Sequence, residues 1–270
     1  MKIGVSSYTW PWAVGRKGHE PPRPLDVMGL LERTRDYGVS VLQIADNPSL
    51  HLMQEDELNK ISQTASSYGI TLELGTRGIE PSHLMRYLDI AKKLNSIIVR
   101  SITYKVDDEA VSNIREVLHA YEKAGVFIAI ENHDELRTDK LAAFLDRIGS
   151  PFVGVCLDTV NSFAALEAPD IVVRNLAPYT INLHVKDFEV VRFESELGFS
   201  IVGRPVGEGQ LNVEWMLDYL KEKGRDPNLI IELWTPFAEN LEKTIALEEM
   251  WADRSIRYLK RIMSCWEMKG

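Results

Sequence analysis

Cysteine is scarce in this sequence of 270 residues, and its start carries no long apolar run. The two cysteines, Cys156 and Cys265, lie far apart and form no CxxC pair, so we expect no disulfide framework and a reducing compartment. The first ten residues, MKIGVSSYTW, lack both the apolar core of a signal peptide and the roughly 20 apolar residues of a membrane span. We therefore expect a cytoplasmic protein that does not engage a membrane.

Basic residues are also in the minority, with 31 Lys and Arg against 40 Asp and Glu and a formal net charge of −9. A nucleic-acid surface needs clustered cations, so nucleic acid is not an expected partner, although a single pocket can still be basic. The chain is 45% hydrophobic and shows no linker or shift in composition. We expect one domain that spans residues 1–270.

Eight short apolar runs rich in β-branched residues recur along the chain. They begin near residues 2, 39, 70, 96, 126, 152, 180 and 229. Most are apolar throughout rather than alternating, which is typical of strands covered on both faces. A helical pattern follows each strand, and several of these patterns end at glycine. The step of 49 residues after the seventh strand is the longest and is expected to hold a long loop as well as a helix.

Eight strand–helix units in a chain of this length predict a (β/α)8 barrel. A doubly wound open sheet is the competing fold, but no GxGxxG motif follows the first strand to support it. The active site of such a barrel lies at the carboxyl ends of its strands. The residues at those ends are therefore the first candidates for function.

Four ionisable residues stand at the ends of the last four strands: Glu131, Asp158, His184 and Glu232. One acidic residue alone is more often a helix cap, and one histidine alone a core residue. Four such residues at one level favour a metal site, and Glu232 lies within LIIELW, where a lone carboxylate is costly to bury. Three carboxylates and one imidazole suit Mn²⁺, Mg²⁺ or Co²⁺ better than a structural zinc, and Zn²⁺ stays an alternative.

The motifs AIEN, CLDTVNS, LHVKD and IIELW, in this order on successive strands, resemble the xylose-isomerase-like superfamily of sugar and sugar-phosphate isomerases and epimerases. The resemblance covers essentially the whole chain. It implies that Glu131, Asp158, His184 and Glu232 bind one divalent metal ion. It also implies that Glu131 and Glu232 form the acid–base pair, as in ketose 3-epimerases.

This resemblance predicts a metal-dependent isomerase or epimerase that acts on a small ketose, sugar acid or sugar phosphate. One carboxylate takes a proton beside a metal-bound carbonyl, and the other returns it to the enediolate. The alternative is a metal-dependent lyase, a decarboxylase or dehydratase, on an oxidised sugar. A nuclease resembling AP endonucleases is a remote alternative, because the chain has only six histidines and is acidic. A barrel that binds sugars without catalysis is disfavoured by the complete ligand set.

A second group of residues lies close to these strand ends or in the long loop. The residues predicted to contact the substrate are Tyr8, Arg100, His133, Asn161, Lys186 and Arg204. Asn161 stands where several epimerases have a substrate-binding histidine, and Arg204 would suit a carboxylate or phosphate. Asp187 is expected to orient His184. The amphipathic pattern at 241–268 closes the barrel or makes a subunit contact, so a homo-oligomer stays open.

Overall fold

Eight short parallel strands close on themselves in the computed structural model, which describes residues 1–267. The barrel strands are β1 (Ile3–Ser6), β2 (Val41–Ile44), β3 (Thr71–Arg77), β4 (Ile98–Ile102), β5 (Phe127–Glu131), β6 (Val153–Asp158), β7 (Thr180–Val185) and β10 (Leu229–Ile231). Closure joins β1 to β10, with Val5 paired to Ile231. Most of these strands are buried along nearly their whole length, as their apolar sequences predicted.

Helices cover the outside of the barrel. They are α1 (Pro11–Val14), α2 (Val27–Asp36), α3 (Glu55–Ser67), α4 (Pro81–Lys93), α5 (Asp108–Ala124), α6 (Thr138–Ile148), α7 (Pro169–Leu176), α8 (Val213–Glu222) and α9 (Leu241–Glu267). Glycines at residues 125 and 149 cap α5 and α6 in the left-handed conformation, as the sequence indicated. The predicted (β/α)8 barrel is confirmed. The domain boundary 1–270 stays a prediction, and residues 268–270, with the end of the predicted C-terminal pattern, lie outside the described residues.

The interval after β7 differs from the predicted long loop. It contains an antiparallel hairpin of β8 (Asp187–Arg192) and β9 (Phe199–Arg204), which stands apart from the barrel sheet. Exposed and partly covered residues alternate along β9, and its exposed Phe199 and Ile201 lie on one face of a two-stranded ribbon rather than in a buried core. This alternation with period two is the signal that distinguishes the hairpin from the barrel strands.

The long helix α9 packs back onto the barrel. Trp251 is buried in the core, and Trp266 donates from its Nε1 to Asp218. Across residues 1–267, no helix has the length and apolarity needed to cross a membrane. The proposed homo-oligomer stays a prediction.

Candidate metal centre

The four residues predicted as metal ligands come together at the carboxyl ends of the strands. Glu131 ends β5, Asp158 ends β6, His184 lies in β7, and Glu232 directly follows β10. None is more than 2% exposed. Three carboxylate oxygens surround His184 Nδ1, at 3.7 Å from Glu131 Oε2, 3.6 Å from Asp158 Oδ2 and 3.5 Å from Glu232 Oε2. Parallel pairing in register, with Asp158 opposite His184, produces this convergence.

Each of these carboxylates is held at one oxygen and turns the other towards His184. Ser6 donates its hydroxyl to Glu232 Oε1 at 2.8 Å, and Asn161 donates its amide to Glu131 Oε1 at 2.8 Å. The backbone N–H groups of residues 160 and 161 donate to Asp158 Oδ1, both at 2.9 Å. These hydrogen bonds fix the orientation of each carboxylate, so that its second oxygen points towards His184.

The inward-facing atoms fit a divalent cation. Among the described residues, Glu131 Oε2, Asp158 Oδ2 and His184 Nδ1 are buried, and the two carboxylate oxygens have only ion-pair partners. Two donor atoms that each lie about 2.1 Å from one ion are roughly 3.0–3.4 Å apart. The spacings around His184 Nδ1 exceed this by only a few tenths of an ångström. The atoms that lie close enough to share one ion form two groups around His184, one with Asp158 and Glu232 and the other with Glu131 and Cys156.

Two buried cations lie against the same carboxylates. Arg100 Nε is 3.0 Å from Glu131 Oε2, and Lys186 Nζ is 2.7 Å from Asp158 Oδ2 and 2.9 Å from Glu232 Oε2. Burial by itself would raise the pKa of Glu131, but Arg100 and His184 hold it well below its usual range. Burial opposes the charge of Lys186, yet the neighbouring carboxylates raise its pKa above the ordinary value. Both cations therefore stay charged at neutral pH.

A cavity of about 260 Å³ opens above this centre. Five of the predicted substrate contacts line it: Tyr8, Arg100, His133, Asn161 and Lys186. Arg77 and Trp234 line it as well. Asp46, which the sequence analysis did not single out, accepts from Arg77 Nε at 2.6 Å and lies 3.4 Å from Arg100 Nη1. This carboxylate holds both guanidinium groups at the wall of the cavity.

Two predicted roles need correction. Arg204 is not among the residues that line the cavity, because its guanidinium pairs within the hairpin with Glu189 at 2.7 Å. Asp187 does not orient His184. Its carboxylate accepts the backbone N–H groups of Phe188 and of residues 207, 209 and 211 at 2.8–3.0 Å. Gly209 permits this close approach, since a Cβ there would lie 2.2 Å from Asp187 Oδ1.

The atom that does hold His184 belongs to a residue absent from the sequence predictions. Gln43 Oε1 lies 2.7 Å from His184 Nε2, on the far side of the ring from the carboxylates. Gln43 and Glu73 are polar residues inside the apolar runs VLQIA and TLELG, and both are buried. That contrast was the available signal, because a barrel core rarely includes an unpartnered amide or carboxylate.

A parallel (β/α)8 barrel with buried carboxylates and an imidazole at its catalytic end defines a class of metal-dependent enzymes. The model of the family described as "Xylose isomerase-like TIM barrel" matches residues 3–262. The chain belongs to this family, as its motifs suggested.

Similar proteins within and around this family differ in activity. The chain is 37% identical over 264 residues to 3-oxo-isoapionate decarboxylase of Pectobacterium atrosepticum, covering 96% of this chain and 95% of that protein. D-psicose 3-epimerase of Clostridium cellulolyticum H10 has the same fold, with a TM-score of 0.70, 17% identity and coverage of 96% and 97%. A xylose isomerase-like TIM barrel protein of Mycobacterium smegmatis in complex with magnesium has a TM-score of 0.66 and 13% identity, covering 95% of this chain and 97% of that chain.

Proposed function

We propose that this protein is a metal-dependent lyase that removes CO₂ from an oxidised sugar acid with a keto group beside the carboxylated carbon. The relative that is 37% identical over almost the whole chain is a decarboxylase of a 3-oxo sugar acid. The lyase that the sequence left as an alternative thus has better support than the isomerase or epimerase. The observation that carries the proposal is that each of the two predicted acid–base carboxylates is paired with a buried cation.

An epimerase must begin by removing a proton from carbon, which needs a basic carboxylate. Glu131 is poorly suited to that step, because the adjacent Arg100 lowers its pKa. Glu232 Oε2 lies 2.9 Å from the ammonium of Lys186, so the oxygen that a base would use already faces a proton donor. A decarboxylase needs no base in its first step, so this pairing does not hinder it.

The charge of the centre also favours an anionic substrate. Three carboxylates around one divalent cation leave a net charge of about −1, and the buried Arg100 and Lys186 change it to about +1. The second guanidinium at the cavity, Arg77, is balanced by Asp46. A sugar acid is therefore attracted to this cavity more strongly than a neutral ketose.

The proposed reaction breaks the bond between the carboxyl carbon and its neighbour, and the electron pair passes into the enolate of the adjacent ketone. A divalent cation held by Glu131, Asp158, His184 and Glu232 would supply Lewis-acid polarisation of that ketone. Arg100 and Lys186 stabilise the developing negative charge from fixed, buried positions. Lys186 Nζ holds the proton that the carbon then receives. One CO₂ leaves, one proton enters, and solvent reprotonates the lysine.

Manganese, magnesium or cobalt is the proposed ion, because three of the four donors are carboxylate oxygens. Zinc is the alternative. The substrate is a small sugar-derived acid, and the lining residues His133, Asn161 and Tyr8 are proposed to contact its hydroxyl groups.

The reaction is tested by incubating the Mn²⁺-loaded protein with a 3-oxo sugar acid in D₂O. We expect release of CO₂ and a product with one solvent deuterium at the carbon that carried the carboxyl group. The remaining substrate should contain no deuterium. Lys186→Met should lower kcat at least about 100-fold, as expected for loss of a proton donor, whereas the surface control Lys93→Met should be unaffected. Deuterium in recovered substrate without CO₂ would instead identify an isomerase or epimerase.

A further inference from the structure

Four buried polar side chains form a hydrogen-bonded chain beneath the metal centre. They are Gln43 on β2, Glu73 on β3, and Asn182 and His184 on β7, and none is more than 1% exposed. The proposed chemistry uses only His184. A buried polar network of this kind is costly unless all its members are satisfied, so the other three require a role.

Glu73 sets the direction of this chain. Asn182 donates its amide to Glu73 Oε2 at 2.7 Å, and Asn228 donates its amide to Glu73 Oε1 at 2.7 Å. Both carboxyl oxygens thus face amide nitrogens. Asn182 is therefore left with its Oδ1 as an acceptor, and the thiol of Cys156 donates to this atom at 3.2 Å.

The same constraint passes on to Gln43. Its Nε2 donates to Asn182 Oδ1 at 2.9 Å and to Glu73 Oε2 at 3.2 Å, so its Oε1 must point the other way. That oxygen lies 2.7 Å from His184 Nε2. An amide oxygen only accepts, so the imidazole must donate its Nε2–H to Gln43. Nδ1 is then the ring nitrogen that faces the three carboxylate oxygens and is left for a metal ion.

We infer that Gln43 is a positioning residue of the metal centre, which fixes the ring orientation and the Nδ1-ligating tautomer of His184, and that Glu73 and Asn182 hold Gln43 in place. The inference rests on the metal site of the proposed function, and it is independent of whether the reaction is decarboxylation or epimerisation. Removing such a partner from a ligating histidine typically weakens metal binding by about 10- to 100-fold.

The test measures Zn²⁺ affinity by competition with a chelating dye, because Zn²⁺ is diamagnetic and also suits NMR. Gln43→Met removes the acceptor with little change in volume, and Gln43→Glu keeps an oxygen for Nε2–H. The matched control is Thr180→Val. Thr180 lies on the same strand as His184, and the substitution removes the buried hydrogen bond that its hydroxyl donates to Leu176 O. Circular dichroism and urea unfolding report whether each variant folds.

We expect Gln43→Met to bind Zn²⁺ about 10- to 100-fold more weakly than wild type, Gln43→Glu to bind more tightly than Gln43→Met, and Thr180→Val to stay within about threefold. A folded Gln43→Met with wild-type affinity, or a control that weakens equally, would overturn the inference. Wild-type protein that binds no divalent metal would instead overturn the proposed function.

Long-range ¹H–¹⁵N NMR of the Zn²⁺-loaded wild type gives a readout that needs no folded Gln43 variant. The signals of His184 are those lost in His184→Gln. We expect a metal-bound Nδ1 and a protonated Nε2. A metal-bound Nε2 with a protonated Nδ1 would overturn the inference even if Gln43→Met fails to fold.

Discussion

Replacing Arg100 by Met tests the electrostatic design of the site, because it leaves Glu131 buried without its guanidinium partner. The Arg100 side chain is 1% exposed and lies 3.0 Å from Glu131 Oε2. Removing one partner of a buried ion pair costs about 3–5 kcal/mol in the free energy of unfolding. We expect a loss in this range for the metal-free protein, measured by urea unfolding near pH 7 in EDTA.

Arg77→Met provides the matched control for this experiment. Arg77 forms an ion pair with Asp46, but the Arg77 side chain is 46% exposed. An exposed ion pair contributes about 1 kcal/mol or less to the free energy of unfolding. An equal loss of unfolding free energy in both variants would refute a buried ion pair between Arg100 and Glu131 as the cause.

The pH dependence of the Arg100→Met effect follows from the depressed pKa of Glu131. A carboxylate with a lowered folded pKa stabilises the protein above its unfolded pKa of 4.5, and this contribution is lost as pH falls through the folded pKa. Arg100→Met removes that contribution. The gap in stability between wild type and variant should therefore be widest near neutral pH and should narrow towards about pH 3.

Three further predictions concern the loop after β9, the helix α9 and the metal centre. Asp187→Ala should lower the free energy of unfolding by roughly 3 kcal/mol and speed proteolysis within residues 205–211, because several backbone N–H groups lose their acceptor. Arg204→Ala, the control, should lower it by less than about 1 kcal/mol. Burial raises the pKa of Glu248 to about 8, so its contribution is full below pH 4.5 and is lost as pH rises towards 8. Urea unfolding of Glu248→Gln should show a flatter profile across that range, and a profile parallel to wild type would contradict this. Mn²⁺ at 100 times its Kd should stabilise the protein by about 2.7 kcal/mol, EDTA should remove the gain, and Glu131→Gln should abolish most of it.

The sequence predicted the barrel because eight strands that are apolar on both faces alternate with helices, and no GxGxxG motif supports the open sheet that shares this apolar pattern. It also predicted which four side chains meet, because parallel strands bring their carboxyl ends to one edge of the barrel. Glu131, Asp158, His184 and Glu232 all lie there. Their roles as ligands stay predictions, which the Mn²⁺ stabilisation experiment with Glu131→Gln tests.

Other features depended on contacts that spacing does not encode. Asp187 follows a strand as a ligand-supporting carboxylate would, but loop residues 207–211 fold back to take its oxygens. Gln43 comes from a strand that is far in sequence from His184 yet faces it across the barrel. The pairing of Arg100 with Glu131 and of Lys186 with Glu232 is likewise a tertiary feature, and it shifts the proposed chemistry from proton abstraction towards decarboxylation.

The central claim is most directly tested by the fate of the carboxyl carbon. A 3-oxo sugar acid labelled with ¹³C at its carboxyl group is mixed with the metal-loaded protein and followed by NMR. We expect the label to leave as ¹³CO₂ and bicarbonate, one for each substrate molecule consumed, and we expect EDTA to stop its release. Conversion of the substrate to an isomer that retains the label would contradict this claim.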